Sequence, residues 1–384
     1  MNWINILHLY QPPTQSKETL DLVTRESYRK IIELLDKYDR LKLTINISGS
    51  LLELLLKYGH EEIIAGFKKH AERGAIEFLG SAMYHPILPL LEAKEIKRQI
   101  ELQIAISKKC FGGAYSPRGF YLPEMAYSRA AAEVIASAGF EWLILDEIHT
   151  EENIDLETHY SVKGLPLGVL FRNSKISKTF PPEYLVREIQ NIKERYVITC
   201  HDGELYGHWH KEDHGYYEKA FTHPDIQMLC VSQYLAGLLK NEEIALRDAS
   251  WESAPDELEQ NIPHGLWNDP RNDIHQRLES LKRAVLVIVE GHQDDPGYEK
   301  ARHHADRGVA SCAWWWASER KLGPFSPLTW NPTEIEKGAK ELYMAVKSLS
   351  SLNVKDIADI ETRFNTLKKH IWEKHKKDYD PDFQ

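Results

Sequence analysis

The sequence predicts an α/β fold in which a parallel sheet closes into a barrel and a helical bundle follows it. Three observations support this fold class. Short apolar strands alternate with helical segments from residue 1 to about residue 250. Polar and aromatic residues follow several of these strands directly, as in the loops on one side of a barrel. From about residue 272 the strand signal disappears. Alternation favours parallel pairing, and about seven units favour a barrel over an open sheet.

The strand–helix units can be placed in order along the first 250 residues. Apolar runs predict strands at 3–8, 41–47, 76–79, 119–124, 142–145, 169–171 and 196–200. Helical periodicity predicts helices at 24–35, 51–58, 61–73, 92–108 and 129–138. Thr24 is the expected N-cap of the first helix, and Gly74 and Gly139 are the expected stop signals of two others.

The remaining chain is predicted to be helical, with helices at 273–290, 299–320, 334–348 and 355–376. The expected domains are therefore a barrel at 1–255 and a helical region at 256–384. A Gly- and Pro-containing segment at 323–328 is the expected linker, and 378–384 is the expected frayed tail.

Composition excludes several classes of partner. The 384 residues are 42% hydrophobic and 10% aromatic, which is typical of a folded protein. The net charge of −10 argues against nucleic acid or an anionic membrane as the main partner. An uncharged substrate such as a glycan would be indifferent to this charge.

Cysteine usage and the first residues favour a soluble cytoplasmic protein. The four cysteines are far apart and form no CxxC pair, which is weak evidence for zinc or for a disulfide framework. The chain begins with a strand pattern rather than a signal peptide, and no apolar run reaches the length of a membrane span.

Two carboxylates, Glu124 and Asp202, stand at the ends of different predicted strands, and both are flanked by aromatic residues. This pattern suggests a site that works on sugars. Cleaving a glycosidic bond with retention requires two carboxyl groups about 5–5.5 Å apart. The alternative is that each residue caps a helix or joins a surface ion pair, and spacing along the chain leaves both readings open.

Histidines and tryptophans supply further candidates. The cluster His201, His208, His210 and His214 is a candidate metal site by residue type, but no HExxH motif is present, so no catalytic metal is expected. His8, Gln11 and His85 lie at strand ends, where they can hydrogen-bond sugar hydroxyls, and Trp267 lies in an irregular stretch suited to ligand contact. The pair Asp294-Asp295 stays open between a metal site and a cap.

Five segments resemble, in order, the five short motifs of glycoside hydrolase family 57. His8-Leu-Tyr-Gln-Pro12 resembles the first motif, and Gly74 to His85 resembles the second. Tyr121-Leu-Pro-Glu124 resembles the third motif, and the stretch from His201 to Trp209 resembles the fourth. Ser250-Trp251 through Trp267-Asn268 is a loose version of the fifth. Tyr10 and Tyr121 replace the usual His and Trp of the first and third motifs.

The resemblance implies a (β/α)7 barrel, that is, an incomplete TIM-like barrel, with a C-terminal helical bundle that contributes to the active-site rim. It also implies no metal and no cofactor. Glu124 would be the nucleophile and Asp202 the general acid/base. Together with the strand-end candidates, the predicted substrate-binding residues are His8, Gln11, Glu77, His85, Tyr121, His201, Glu204, Trp209 and Trp267.

The sequence therefore predicts a cytoplasmic retaining glycosidase or transglycosylase whose partner is an α-1,4-glucan or an oligosaccharide. The alternatives are a hydrolase of another α-glycoside on the same barrel, a metal-dependent deacetylase or mannosidase, and a non-catalytic glycan-binding relative. Hydrolysis and transfer share one intermediate, so the balance between them stays open, as does the oligomeric state.

Overall fold

Ten strands occur in the computed structural model, which describes residues 1–322 and 328–379. They are β1 (Asn2–Leu9), β2 (Leu43–Ile47), β3 (Ile76–Phe78), β4 (Gly119–Tyr121), β5 (Trp142–Asp146), β6 (Thr158–Val162), β7 (Gly168–Arg172), β8 (Tyr196–Asp202), β9 (Gln227–Leu229) and β10 (Lys240–Ile244). Most of the linker predicted at 323–328 and of the tail predicted at 378–384 lies outside the described residues.

Seventeen α-helices occur in the same described residues. They are α1 (Lys17–Val23), α2 (Arg29–Lys37), α3 (Gly49–Tyr58), α4 (Glu61–Glu72), α5 (Ala93–Phe111), α6 (Arg129–Ser137), α7 (Ser174–Ser177), α8 (Pro181–Glu188), α9 (Tyr216–Thr222), α10 (Val231–Leu235), α11 (Pro255–Glu259), α12 (Gly265–Asn268), α13 (Asp273–Glu290), α14 (Tyr298–Gly308), α15 (Cys312–Trp315), α16 (Pro332–Lys347) and α17 (Val354–Tyr379).

The strands form two sheets in which nearly every pairing is parallel, so the predicted α/β class with parallel sheets is confirmed. One sheet has the order β3-β2-β1-β8, with β9 also pairing β1, and the other has the order β10-β6-β7-β5-β4. Only β6 and β7 pair antiparallel among the described strands. Several strands, such as β2, β5 and β7, are buried at every position, as expected for parallel strands covered on both faces.

Hydrogen bonds also run between the two sheets. The Gly80 amide donates to the Gly119 carbonyl and the Tyr121 amide donates to the Gly80 carbonyl, each at 2.9 Å, which links the end of β3 to β4. The Asn173 amide donates to the Ile198 carbonyl at 2.8 Å, which links the end of β7 to β8. The two sheets are therefore joined at two places.

Alternate residues of β1 enter two different hydrophobic cores. Trp3, Leu7 and Leu9 belong to one buried cluster, and Ile4 and Ile6 belong to the other. This follows from the two-residue period of a strand, which sends successive side chains to opposite faces. The second cluster also contains buried residues of β4, β5, β7 and β8.

Three strands, β6, β9 and β10, were not predicted from the sequence, and two predicted helix boundaries are wrong. β6 is a short strand in which buried and half-buried residues alternate, β9 has three residues, and in β10 only Ile244 is buried. The single helix predicted at 299–320 is wrong, because α14 ends at Gly308 and α15 starts at Cys312. A Cβ on Gly308 would lie 2.6 Å from Leu342 Cδ2, so this turn lies close against α16.

The predicted helix start at Thr24 is also wrong. The N-cap is Ser16, whose hydroxyl accepts from the Thr19 amide at 3.1 Å. Thr24–Tyr28 is instead a π-type turn between α1 and α2.

The structure divides into two compact units, of which the first comprises 1–11, 15–83 and 88–251, and the second comprises 12–14, 84–87 and 252–384. The predicted domains at 1–255 and 256–384, and the predicted contribution of the helices to the active-site rim, stay predictions. No helix of the described residues combines the length and the apolarity that a membrane crossing requires. The cytoplasmic location likewise stays a prediction.

Asp295, which the sequence left open between a metal site and a cap, joins two segments of the second unit. Its carboxylate accepts from the amides of Gly297, Ser350 and Ser351, at 2.7, 2.9 and 2.6 Å. The Ser351 hydroxyl donates to it as well, and this bond is the largest cause that lowers the pKa of Asp295 far below its ordinary value. Asp295 therefore joins the turn before α14 to the segment that follows α16.

Candidate active site

His8, Asn46 and Asp202 lie side by side at the ends of three neighbouring strands. His8 of β1 is in register with Asn46 of β2 and with Asp202 of β8. Side chains in register on adjacent parallel strands point to the same face. His8 Nδ1 lies 2.7 Å from Asn46 Oδ1, and burial lowers the pKa of His8 to about 4. His8 is therefore a neutral ring beside the Asp202 carboxyl at neutral pH.

Glu124 follows β4 in a strained backbone conformation. It has φ 57° and ψ 17°, and Met125 after it has φ 48°. Both residues are in the left-handed region, which costs a non-glycine residue about 1–3 kcal/mol. Such strain persists only where surrounding contacts impose it, and here the Trp251 amide donates to the Glu124 carbonyl at 3.2 Å. Strained residues of this kind cluster at active sites.

A row of aromatic rings connects the surroundings of Asp202 with Glu124. His8 stacks on Tyr121, with ring centroids 4.4 Å apart, and Tyr121 contacts Trp251 edge-on at 6.2 Å. The Trp251 indole N–H donates to Glu124 Oε2 at 2.8 Å. Burial is the largest cause that raises the pKa of the Tyr121 hydroxyl, and the charges of Asp202 and Glu124 are among the others. Both carboxylates thus lie within electrostatic reach of one phenol.

The Arg172 guanidinium packs against the face of the Trp251 ring. Its guanidinium carbon lies 4.6 Å from the Trp251 ring centroid, in a cation–π arrangement. Arg172 Nε donates to Asp146 Oδ2 at 2.6 Å, and Nη1 donates to the Cys200 carbonyl at 2.7 Å. Burial raises the pKa of Asp146, but the charge of Arg172 and hydrogen bonds outweigh burial and leave that pKa lowered. Arg172 therefore ties β5, β7 and β8 to the residue that holds Glu124.

Removing this buried cation is expected to lower stability strongly. Both partners are almost fully buried, with 3% and 4% of their side chains exposed. Arg172→Met would leave Asp146 buried without its cation, which costs about 3–5 kcal/mol in the free energy of unfolding. Chemical denaturation measures this difference. Arg172→Met/Asp146→Asn should recover part of the loss, and a double variant no more stable than the single one would contradict the pairing.

Glu204 lies in a buried group with Gln11 and Tyr28. The Tyr28 hydroxyl donates to Glu204 Oε1 at 2.5 Å, and Gln11 Nε2 lies 3.2 Å from both Glu204 Oε1 and the Tyr28 oxygen. Burial raises the pKa of Glu204, although these hydrogen bonds oppose the rise. The charges of Glu204 and Asp202 contribute, after burial, to the raised pKa of Tyr28, which places this group near the Asp202 carboxyl.

Three other predicted sugar ligands of the first unit lie in different surroundings. His201 precedes Asp202 on β8 and so points to the opposite face, where its ring stacks on Tyr206 at 5.6 Å. Glu77 accepts from the amide and the hydroxyl of Ser232, at 2.9 and 2.5 Å. Trp209 is 49% exposed. The predicted sugar contacts of these residues stay predictions.

His85 and Trp267 belong to the second unit. His85 has φ 57°, and its Nδ1 lies 3.1 Å from the Ser311 hydroxyl. Trp267 is 1% exposed in α12, and its amide donates to the His264 carbonyl at 2.9 Å. Their roles as sugar ligands also stay predictions.

Two histidines of the candidate metal cluster contact other side chains. His208 Nδ1 lies 2.7 Å from Glu26 Oε2, and the His210 ring lies against Phe180, with centroids 4.3 Å apart. Within residues 1–322 and 328–379, no group of three or more His, Cys, Asp or Glu side chains is arranged to hold a metal ion.

Sequence reasoning missed Asp146, Arg172 and Tyr28. Asp146 and Arg172 are the last residues of β5 and β7, so the strand-end rule that selected Glu124 and Asp202 would also have selected them. Tyr28 lies in a segment of helical periodicity, where an aromatic residue is ordinarily a core residue. The π-type turn directs Tyr28 to Glu204, and no pattern in the sequence predicted this turn.

Comparisons with known proteins identify the family. The family model described as Glycosyl hydrolase family 57 matches residues 6–246. Alpha-amylase 1 of Dictyoglomus thermophilum is 26% identical over 361 residues, covering 80% of this chain and 52% of the relative. The 4-alpha-glucanotransferase of Thermococcus litoralis is 22% identical over 330 residues, covering 80% and 47%. This chain thus spans about half the length of these relatives.

Two solved structures have the same fold. The 4-alpha-glucanotransferase from Thermococcus litoralis superposes with a TM-score of 0.72 at 18% identity, covering 92% of this chain and 60% of that one. The GH57-type branching enzyme from Pyrococcus horikoshii superposes with a TM-score of 0.70 at 16% identity, covering 95% and 94%. The chain belongs to glycosyl hydrolase family 57, as the five motifs indicated.

Proposed function

We propose that this member of glycosyl hydrolase family 57 cleaves α-1,4-glucosidic bonds with retention, and that it passes the glycosyl group to water or to an acceptor sugar. The observation that carries the proposal is the pair of strand-end carboxylates, Glu124 and Asp202, connected by the row His8, Tyr121 and Trp251. The names of the relatives, alpha-amylase and 4-alpha-glucanotransferase, support the choice of an α-glucan as substrate.

The proposed reaction has two steps. In the first, a Glu124 oxygen attacks the anomeric carbon, the bond to the leaving oxygen breaks, and Asp202 gives its proton to that oxygen. In the second, Asp202 takes a proton from water or from an acceptor hydroxyl, whose oxygen attacks the same carbon and releases Glu124. Two inversions give overall retention.

The surroundings of each carboxylate suit these roles. The Trp251 N–H donates to Glu124 Oε2 at 2.8 Å, and this bond fixes the orientation of the carboxylate that attacks. His8, neutral and fixed by Asn46, presents a ring beside Asp202 without adding a positive charge that would favour loss of its proton.

We also propose that seven parallel strands form a (β/α)7 barrel, in the order β3-β2-β1-β8-β7-β5-β4. The pairing within the two sheets supports this order. The bonds from Asn173 to Ile198 and between Gly80 and the strand β4 supply the two remaining seams. In such a barrel, the ends of β1, β4 and β8 open to the same rim, and the strand-end carboxylates meet there.

Incubation with maltoheptaose tests the function. The products of the wild-type protein and of Glu124→Gln are separated over time. Shorter and longer oligosaccharides together, absent with the variant, would indicate a glucanotransferase, and shorter products alone would indicate an amylase-type hydrolase. Unchanged maltoheptaose and unchanged glycogen with the wild-type protein would contradict the α-1,4-glucan assignment.

A further inference from the structure

A π-type turn interrupts the first long helical segment. α1 ends at Val23, Thr24–Tyr28 forms the turn, and α2 begins at Arg29. The Arg29 amide donates to the Thr24 carbonyl, five residues back. Such turns are rare, and they occur frequently at functional sites.

The turn directs three consecutive side chains to one loop. Three consecutive residues of an α-helix are spread over about 200° of its circumference, so they do not ordinarily share a partner. Here Glu26 contacts His208 at 2.7 Å, and the Ser27 hydroxyl donates to the Gly203 carbonyl at 2.9 Å. Tyr28 donates to Glu204. All three partners lie in the loop 202–208, which begins with Asp202.

Glycines of the loop 202–208 stand where two other segments approach its backbone closely. Gly207 has φ 107°, a conformation that favours glycine, and a Cβ there would lie 2.2 Å from the Glu26 carbonyl oxygen. Leu9 approaches Gly203 in the same manner, since a Cβ on Gly203 would lie 1.9 Å from Leu9 Cδ2. The two glycines of the loop thus permit close approach of the turn on one side and of β1 on the other.

We propose that the π-type turn Thr24–Tyr28 positions the loop that carries the general acid/base, and that Tyr28 is its main positioning residue. The inference rests on the proposed function. Tyr28 is fully buried and Glu204 is 3% exposed, so their 2.5 Å hydrogen bond is shielded from water. Gln11 contacts both and closes the group.

The hydrogen-bond partner of Tyr28 lies close to the proposed acid/base in the sequence. Glu204 is two residues beyond Asp202, and the Ser27 bond holds the residue between them. A general acid transfers its proton only when its oxygen is within hydrogen-bond reach of the leaving oxygen. A small shift of this loop would therefore weaken proton transfer while leaving the attack by Glu124 largely intact.

Two substrates separate positioning of the acid from a general structural role. Cleavage of maltoheptaose requires a proton on the leaving sugar oxygen, whereas α-glucosyl fluoride loses fluoride without one. We expect Tyr28→Phe to lower kcat/KM for maltoheptaose about 10–100-fold and kcat/KM for α-glucosyl fluoride less than about 3-fold. In both cases kcat/KM reports the first step, before Asp202 acts as a base.

Two further variants complete the test. Ser27→Ala should produce the same selective loss with a smaller magnitude, since it removes a single bond to the loop and deletes little buried volume. Tyr234→Phe is the matched control, because it removes a buried tyrosine hydroxyl that donates to the Leu156 carbonyl, and it should change neither substrate.

Selective loss on maltoheptaose in both Tyr28→Phe and Ser27→Ala would support the positioning role. An equal loss on both substrates, or no loss, would overturn it. Failure of the wild-type protein to cleave maltoheptaose would count against the proposed function instead, so the two failures are distinguishable.

Discussion

Glu124→Gln is expected to lower kcat/KM for maltoheptaose by at least about 10⁴-fold, equivalent to about 5 kcal/mol of lost transition-state stabilisation. Glutamine keeps the length of the side chain and a partner for the Trp251 N–H, but its amide is a poor nucleophile. The change removes the covalent step and leaves the surroundings in place. The circular-dichroism melting curve should stay close to that of the wild-type protein.

A glycine variant provides a second test of Glu124 as the nucleophile. Because Glu124 has φ 57°, glycine fits the position without the strain that the wild-type residue carries. Glu124→Gly should therefore fold at least as well as Glu124→Gln and leave a space beside the anomeric carbon. Azide should enter that space, displace fluoride from α-glucosyl fluoride in one inversion, and yield β-glucosyl azide.

Glu183→Gln is the matched control for these variants, since Glu183 is a carboxylate of α8 that pairs with Arg187 outside the site. It should keep wild-type turnover and form no glucosyl azide. Wild-type turnover in Glu124→Gln, or an absence of azide product with Glu124→Gly, would reject Glu124 as the nucleophile.

The elements that were predicted from the sequence are those whose burial follows one simple pattern. β1, β2, β5, β7 and β8 are buried along nearly their whole length, so each appears as a continuous apolar run. β10 has the sequence Lys-Asn-Glu-Glu-Ile and lies at the edge of its sheet. Its backbone hydrogen bonds to β6 define it, and an exposed edge strand needs no apolar pattern.

The helix boundaries failed where tertiary contacts override local preference. Thr24 is a good N-cap by residue type, yet the helix starts at Lys17 because Ser16 caps it first. At the break between α14 and α15, Gly308 lies close against Leu342, a residue 34 positions away in the sequence that no local pattern reveals.

The candidate site was predictable only in part, for a similar reason. Glu124 and Asp202 were selected because chemistry collects beyond the ends of parallel strands. The residues that contact these two carboxylates or their neighbours are brought there by strand register and by packing between distant parts of the chain. His8 and Asn46 are paired by the alignment of β1 with β2, and Arg172 reaches Trp251 across about 80 residues of sequence. Such relations are properties of the assembled sheets.

For His201, adjacency in the sequence does not reveal the direction of the side chain. It adjoins Asp202 in the sequence, so proximity made it a candidate sugar ligand. Strand alternation turns its side chain toward Tyr206, on the face opposite the Asp202 side chain, and its Nδ1 lies 3.1 Å from the Asp202 backbone oxygen. Burial lowers the pKa of this ring to about 4, so the ring is neutral there, and its role as a sugar ligand stays a prediction.

Asp202→Asn is expected to lower kcat/KM for maltoheptaose about 10²–10⁴-fold, the usual contribution of general acid–base catalysis. Asparagine preserves the shape of the side chain beside His8 but has no proton of suitable acidity to donate. The value of kcat/KM for α-glucosyl fluoride should change little, because fluoride leaves without protonation. Asp225→Asn, an exposed carboxylate of the first unit that lies near His223, is the matched control and should affect neither substrate.

Azide also tests the role of Asp202, in a variant that keeps Glu124. In Asp202→Ala, Glu124 still forms the glycosyl-enzyme from α-glucosyl fluoride, and azide, which needs no general base, attacks that intermediate. Two inversions then yield α-glucosyl azide, whereas Glu124→Gly yields the β anomer through one. Since the two variants differ only in which carboxylate is absent, opposite anomers would establish both roles together. The same anomer from both variants would mean that one of the two carboxylates has been assigned the wrong step.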